Sequence, residues 1–229
     1  MNKLLILSVI LYSCMTECVN DKNKTSTNSN HPMQPDIHFD TSLNNAQQQL
    51  KKESNQVILS STKETDYFIE PGGAYEKANA PLLLRKIDNT KSFTFTTKLT
   101  PEHNVKYDAG MAFIYVDEKH WLKFAFEADE QMNTRIVTVK TNESSDDNNH
   151  ETVKKKTVYL KISSDTKSIG FYYSTDDEVW HLVRVFKNEY PQIIYVGVGT
   201  QSPAGNGNKT IFEVIEFTNV PVKDFRSGI

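Results

Sequence analysis

Cysteine is almost absent from this chain of 229 residues, and its absence excludes several kinds of site. The two cysteines, Cys14 and Cys18, both lie near the N-terminus. The rest of the chain therefore has no thiols for a disulfide framework and no cysteine nucleophile. The six histidines are scattered without the spacing of metal ligands. We accordingly predict no metal site and no cofactor.

A strong net charge is also lacking. The chain carries 26 Lys and Arg against 29 Asp and Glu, which gives a formal net charge of -3. A protein whose main function is to bind nucleic acid needs a basic face to neutralise phosphates. We therefore exclude nucleic acid as the principal partner.

No apolar run near the N-terminus is long enough to span a bilayer. The run from Leu4 to Tyr12 follows Lys3 and has the length of a signal-peptide core. It ends in Leu11-Tyr-Ser-Cys14, which is similar to a bacterial lipobox, so we expect residues 1–18 to be a lipoprotein signal acylated at Cys14. The alternative is ordinary signal cleavage nearby. Both interpretations predict an exported protein, either a lipoprotein of the bacterial outer membrane or cell surface, touching the membrane through its anchor only, or a secreted one.

Large apolar residues are scarce from Val19 to Ser54, where Asn, Gln, Ser, Thr, Asp and Lys dominate. Such a segment buries too little surface to offset the entropy lost on ordering, so residues 19–54 are expected to form a flexible polar stalk. A short polar helix from Thr41 to Lys52 is the one element that the pattern there allows.

Aromatic residues are abundant beyond that point, in short apolar runs separated by turn residues. This pattern, with 12 Phe and 10 Tyr in the chain, predicts an all-β sandwich of two antiparallel sheets over residues 55–229. The acidic and polar stretch from Asn142 to Glu151 is expected to be an exposed loop. The predicted strands are Gln56–Ser60, Asp66–Ile69, Leu82–Ile87, Phe93–Leu99, Gly110–Val116, Trp121–Ala128, Arg135–Lys140, Val158–Ser163, Ile169–Ser174, Trp180–Phe186, Ile193–Thr200 and Thr210–Phe217.

One predicted hairpin, over residues 107–127, presents a candidate site. A four-residue loop at 117–120 would pair Val116 with Trp121, and alternate side chains would then point to opposite faces. One face is wholly apolar, and we expect it to pack in the core of the sandwich. The other face has small residues at its centre and polar or aromatic residues around them: Gly110, Ala112 and Ala125 inside, with Asp108, Trp121, Lys123 and Glu127 at the edge.

That second face has the chemistry of a carbohydrate site. Trp121 would stack on a sugar ring, while Asp108, Lys123, Glu127 and Gln201, the last from a loop bordering the face, would hydrogen-bond its hydroxyl groups. The alternative is structural: small residues let a second layer pack closely, and Lys123 with Glu127 is a solvated pair.

Four motifs occur in the order found in one known family. They are Tyr107-Asp-Ala-Gly110, Trp121–Glu127, Tyr173–Trp180 and Val196–Pro203, and with them the chain resembles the DUF1349 family from about Val57 to Phe217. The resemblance implies a concanavalin A-like jelly-roll sandwich. The family includes a yeast protein described as a regulator of enolase, and related sandwiches occur as accessory domains beside glycoside hydrolases.

Three functions follow from these expectations. The leading one is a binding module for an oligo- or polysaccharide. A glycoside hydrolase that uses Asp108 and Glu127 as its carboxylate pair is the second, and it is disfavoured because only one such pair is in view. The third is a protein-interaction or envelope-structural module without a sugar ligand.

Overall fold

The computed structural model describes residues 38–53 and 56–229. The signal segment, Cys14 and the first part of the expected stalk lie outside these residues. The described part is built of strands with one short 3-10 turn, Ala46–Gln48, and contains no helix long and apolar enough to cross a membrane. The strands are β1 Thr41–Leu43, β2 Leu50–Glu53, β3 Gln56–Ser60, β4 Tyr67–Ile69, β5 Glu76–Ala78, β6 Leu82–Asp88, β7 Phe93–Pro101, β8 Ala109–Asp117, β9 His120–Ala128, β10 Thr134–Asn142, β11 Ser144–Thr152, β12 Val158–Ser164, β13 Ser168–Ser174, β14 His181–Lys187, β15 Ile193–Gln201 and β16 Lys209–Thr218.

Two antiparallel seven-stranded sheets form the sandwich. Sheet A has the order β1-β6-β15-β8-β9-β10-β11, and sheet B has the order β14-β13-β12-β7-β16-β3-β2. Between them lies the main core, to which strands contribute alternate residues; in β7, Phe93, Phe95 and Leu99 are buried in it. The predicted all-β jelly-roll sandwich is confirmed, and each of the twelve predicted strands is present within a few residues of its expected bounds.

Sheet A is covered on its outer face as well. The small β4–β5 hairpin lies over it, and a second apolar cluster forms there around Tyr67, Met111, Phe113 and Trp121. Strands β8 and β9 are consequently buried on both faces over most of their length. This second layer is what surrounds the candidate site on one side.

The β8–β9 hairpin differs from its predicted register. Its turn has only two residues, between the paired Asp117 and His120, and Val116 forms a bulge, so that Tyr115 rather than Val116 pairs with Trp121. Beyond the bulge every pairing is shifted by one residue, which exchanges the faces of one strand relative to the other. Two of the three small residues that were expected to floor the site, Gly110 and Ala112, therefore point into the main core, whereas Ala125 stays on the outer face of sheet A.

The folded unit begins earlier than expected. Residues 41–53 were assigned to the stalk, with a helix, but β1 pairs with β6 and β2 pairs with β3. No helix from Thr41 to Lys52 is present. Edge strands are held by backbone hydrogen bonds and need little apolar surface of their own, so their composition resembles that of a linker.

The stretch from Asn142 to Glu151 is likewise a strand and not a loop. β11 pairs with β10 along most of its length and forms the edge of sheet A. Its residues are almost all exposed, with Ser145 buried. A polar strand exposed on its free edge lacks the apolar alternation that identifies strands in a sequence.

Candidate functional site

A pocket of about 530 Å³ opens on the outer face of sheet A, beside the β4–β5 hairpin. Strands β9, β10 and β11 form its floor, and the hairpin and three loops form its walls. Its volume falls in the range of roughly 300–1,000 Å³ that is usual for small-molecule sites. The lining residues are Asp66, Phe68, Tyr75, Lys106, Tyr107, Lys123, Glu127, Asp129, Glu130, Val137, Val139, Asp147, Asn149, Gln201, Pro203 and Ala204.

A chain of polar side chains crosses the buried end of the pocket. Lys123 Nζ donates to Asp66 Oδ1 at 3.4 Å and to Gln201 Oε1 at 3.2 Å, and Gln201 Nε2 donates to Glu127 Oε2 at 3.3 Å. All four residues are more than nine-tenths buried. Because buried polar groups are costly unless they are paired, a network of this kind fixes the orientation of each group.

Strand register brings these side chains together. Lys123 and Glu127 lie four residues apart in β9, so alternation puts them on one face. Gln201 of β15 pairs with Ala109 of β8, and Ala109 pairs with Glu127. The methyl group of Ala109 between them leaves room for the amide and the carboxylate to meet above it.

The other half of the floor is apolar and ends at an acid. Val139 of β10 pairs with Lys123 on one side and with Asp147 of β11 on the other. Lys123 and Asp147 are thus two strands apart, roughly 10 Å between their backbones at the usual strand spacing. Val139 and Val137 form an apolar strip between the two charged groups.

Aromatic side chains form part of the walls. Phe68 of β4 and Tyr75 have ring centroids 6.4 Å apart, and both are only partly buried. The Tyr75 hydroxyl donates to Asp66 Oδ2 at 3.1 Å, which ties the wall to the polar end of the floor. On another side Tyr107 lies beside Lys106, whose Nζ is 5.5 Å from the ring.

Burial shifts the ionisation of the floor. Desolvation raises the pKa of Glu127 to about 8, against the opposing attraction of Lys123. Desolvation would lower the pKa of Lys123, but the nearby carboxylates of Asp66, Glu127 and Asp147 outweigh it and raise that pKa. Partial desolvation by the pocket also raises the pKa of Asp147. Near neutral pH the floor therefore combines the ammonium group of Lys123 with a protonated Glu127.

Lys123, Glu127 and Gln201, three of the five residues predicted to bind a ligand, line this pocket. Asp108 does not. It is fully buried and accepts hydrogen bonds from the backbone amides of Asn104 and Val105, at 2.9 and 3.1 Å, and from Ser202 Oγ at 2.7 Å. Its carboxylate closes the loop before β8 and does not face the pocket.

Trp121 also lies outside the pocket lining. It points to the predicted face of sheet A but is fully buried, because Tyr67 of β4 packs on it edge-to-face at 5.4 Å and Phe113 stacks beside it at 5.7 Å. The proposed stacking of a sugar on Trp121 is wrong for this reason. Its role is in the second apolar cluster.

Sequence reasoning missed Asp66, Asp147 and the aromatic wall. Asp66 precedes β4, a strand that was predicted without any indication that it would cover sheet A. Asp147 lay in the stretch taken for a loop, and no apolar alternation marks it as part of a sheet. Within the described ranges, no cluster of three or more His, Cys, Asp or Glu residues is arranged to hold a metal ion.

Comparison with known proteins agrees with this fold. The sequence model of the family described as "Protein of unknown function (DUF1349)" matches residues 43–220. No curated protein matches the sequence. A functionally unknown protein from Saccharomyces cerevisiae superposes with a TM-score of 0.72 at 22% identity, covering 79% of this chain and 96% of its own.

Two larger proteins share the sandwich at lower identity. The GH43 BlXynB protein of Bacillus licheniformis matches with a TM-score of 0.57 at 14% identity, over 72% of this chain and 33% of its own. The Xyloglucan PUL GH43B protein of Bacteroides ovatus matches with a TM-score of 0.57 at 12% identity, over 76% of this chain and 35% of its own. The chain thus spans about a third of each of these proteins, and the likeness is one of fold.

Proposed function

The chain belongs to the DUF1349 family, and on that premise we propose that it is an exported, lipid-anchored binding protein whose pocket on sheet A takes up a carbohydrate. The observation that carries the proposal is the buried network of Lys123, Gln201, Glu127 and Asp66 at one end of an open pocket of about 530 Å³.

The network suits a ligand rich in hydroxyl groups. A hydroxyl both donates and accepts, and the floor offers an ammonium donor, an amide and carboxyl oxygens within one small area. Lys123 has three N–H bonds and uses two on Asp66 and Gln201, which leaves one for a ligand. The preorganised groups cost little further ordering when a ligand binds.

The apolar surfaces of the pocket suit a sugar ring. Val137 and Val139 line the floor beneath the position of a sugar ring, and the partly exposed Phe68 and Tyr75 provide aromatic faces at the wall. These residues, and not Trp121, would therefore contact the apolar face of the sugar ring. The sandwich likeness to two proteins named for the glycoside hydrolase family GH43 is consistent with this use of the fold.

Titration of the full chain with a panel of neutral oligosaccharides, by calorimetry or on a glycan array, tests the proposal. Phe68→Ala should weaken binding about tenfold, as expected for the loss of one aromatic–ligand contact. Trp180→Ala is the matched control, because Trp180 is a partly exposed aromatic beside sheet B, remote from the pocket lining. No binding to any sugar, or equal losses in both variants, would overturn the proposal.

Export and anchoring rest on the N-terminal sequence. Leu4 to Tyr12 and Cys14 have the pattern of a lipoprotein signal. Expression in a bacterial host should place the protein in the membrane fraction, with an acyl-modified N-terminal peptide by mass spectrometry. Cys14→Ser should abolish the modification, whereas Cys18→Ser should retain it.

Hydrolysis of a glycosidic bond is the second candidate, favoured by one observation. Glu127, whose pKa burial raises to about 8, lines the same pocket as Asp66 and Asp147, and glycoside hydrolases use such a pair of carboxyl groups, one as the acid and one as the base. Asp108 is not a partner, since its oxygens are engaged by backbone amides and Ser202. Release of reducing ends from a bound oligosaccharide, lost in Glu127→Gln, would support catalysis; binding without release would reject it.

A further inference from the structure

The pocket has an excess of negative groups. Five acidic residues line it, against the two lysines Lys106 and Lys123. One of the acids, Asp129, is neutralised by Arg135, whose guanidinium contacts it at 2.8 and 2.9 Å. Glu130 and Lys106 both belong to the loops at the walls and carry opposite charges. The floor itself keeps two acidic groups, Asp66 and Asp147, together with the protonated Glu127, around the single ammonium of Lys123.

Lys123 is not free to neutralise a ligand anion. Its ammonium group is buried and already donates hydrogen bonds to Asp66 and Gln201. An anionic ligand that approached it would also approach the Asp66 and Asp147 carboxylates, whose like charge would oppose its binding. The charge of the pocket therefore disfavours the binding of a ligand that carries a carboxylate, sulfate or phosphate group.

Asp147 is the acid that a ligand can reach. Its neighbour in β11, Asp146, points to the other face and pairs with Arg184 at 2.6 Å, whereas Asp147 makes no ion pair within the described residues. It closes the far end of the apolar strip, with Val139 between it and Lys123. The gap between these two charged groups is where a ring over the strip would lie.

We propose that the pocket selects an amino sugar, a pyranose whose protonated amine pairs with Asp147 while its hydroxyl groups engage Lys123, Gln201 and Glu127. This inference rests on the proposed carbohydrate-binding function and adds the charge of the ligand to it. It predicts an order of affinity in which the amine binds best, the neutral sugar less well, and the uronic acid least.

Calorimetric titration of the full chain at pH 7 tests the order. The probes are glucose, glucosamine and glucuronate, together with galactose, galactosamine and galacturonate, so that ring configuration is varied separately from charge. The amine should bind about fivefold more tightly than the neutral sugar of the same configuration, the effect of one partly exposed ion pair. The uronate should bind at least about tenfold more weakly than the neutral sugar because of repulsion by the floor carboxylates.

Asp147→Asn and Asp146→Asn form a matched pair of variants. Both lie on the exposed edge strand β11, next to each other, and only Asp147 lines the pocket. Asp147→Asn should bring the affinities for amine and neutral sugar within about twofold of each other. Asp146→Asn should leave the preference for the amine unchanged.

The outcomes separate this inference from the function on which it rests. If neutral sugars bind but the amine binds no better, or if a uronate binds best, the charge selection is wrong and the binding function stands. If the preference survives in Asp147→Asn, the pairing with Asp147 is wrong. If no sugar of either series binds, both the function and the selection fail.

Discussion

Replacing Glu127 with Gln should stabilise the fold, and the gain should grow as the pH rises. Glu127 is buried, and burial raises its pKa from 4.5 to about 8 in the folded protein. Between those two pH values the folded state holds a proton that the unfolded state has released. Folding therefore takes up a proton, and the stability of the native protein falls as the pH increases through this interval. Because Gln does not titrate, the free energy of unfolding of the Glu127→Gln variant lacks this decrease with pH.

The size of the effect follows from the shift. A difference of about 3.5 pH units between the unfolded and folded states, at ~1.4 kcal/mol per unit, is on the order of 5 kcal/mol over the whole interval. Measurement at pH 5.5 and at pH 8.5 samples about 2.5 of these units. The free energy of unfolding of the Glu127→Gln variant, relative to the native protein, should thus rise by about 3 kcal/mol between the two pH values. The amide oxygen of the new side chain still accepts the hydrogen bond from Gln201.

Urea unfolding at the two pH values measures this quantity directly. Glu118→Gln is the control, because Glu118 is exposed in the two-residue turn between β8 and β9 and makes no hydrogen bond through its side chain among the described residues. Titrating groups that do not interact with Glu127 are common to the three proteins, and their contributions cancel. A stability difference between the Glu127→Gln variant and the native protein that is equal at both pH values would refute the assignment of a protonated Glu127.

Substitutions at three further positions test structural roles in the fold. Trp121→Ala should lower the free energy of unfolding by about 3–5 kcal/mol in urea titrations followed by circular dichroism, since it empties the second apolar cluster; a loss below ~1 kcal/mol would contradict its burial. Gly110→Ala should cost about 1–3 kcal/mol, because the new methyl group would lie 2.5 Å from the Thr210 side chain; an unchanged urea midpoint would refute the position of Gly110 in the main core. Asp108→Ala should cost roughly 1–3 kcal/mol and speed proteolysis before β8, because two backbone amides lose their acceptor; Asp108→Asn should lose less, and equal losses would refute this role.

The strands of the two cores could be predicted because burial imposes a pattern on them. β7 alternates Phe93, Phe95 and Leu99 with threonines and a lysine, and the sandwich architecture follows from several such runs. β1, β2 and β11 carry no such pattern. They lie at or near sheet edges, where backbone pairing suffices, and their sequences are those of linkers.

The register of β8 and β9 could not be obtained from the sequence because of one bulge. At the turn, the pairing of Asp117 with His120 keeps the predicted offset between the strands, and the bulge at Val116 then shifts all later pairs by one. Nothing in Tyr115-Val-Asp117 marks a bulge in the way that a glycine would. A shift of one residue is enough to exchange Gly110 and Ala112 for Ala109 and Met111 on the pocket side of sheet A.

The same reasoning explains which site residues were found. Lys123 and Glu127 share a face whatever their partner strand, because that relation depends only on alternation within β9. Asp66 and Asp147, which were missed, come from elements whose position depends on topology, register and the covering hairpin. Alternation also put Trp121 on the correct face, but the exposure of a face depends on what packs over it, and Tyr67 belongs to a strand more than fifty positions earlier. The hairpin that buries Trp121 also supplies Asp66 and Phe68, so a single covering element removes one predicted contact and creates the wall and the acid that make the pocket.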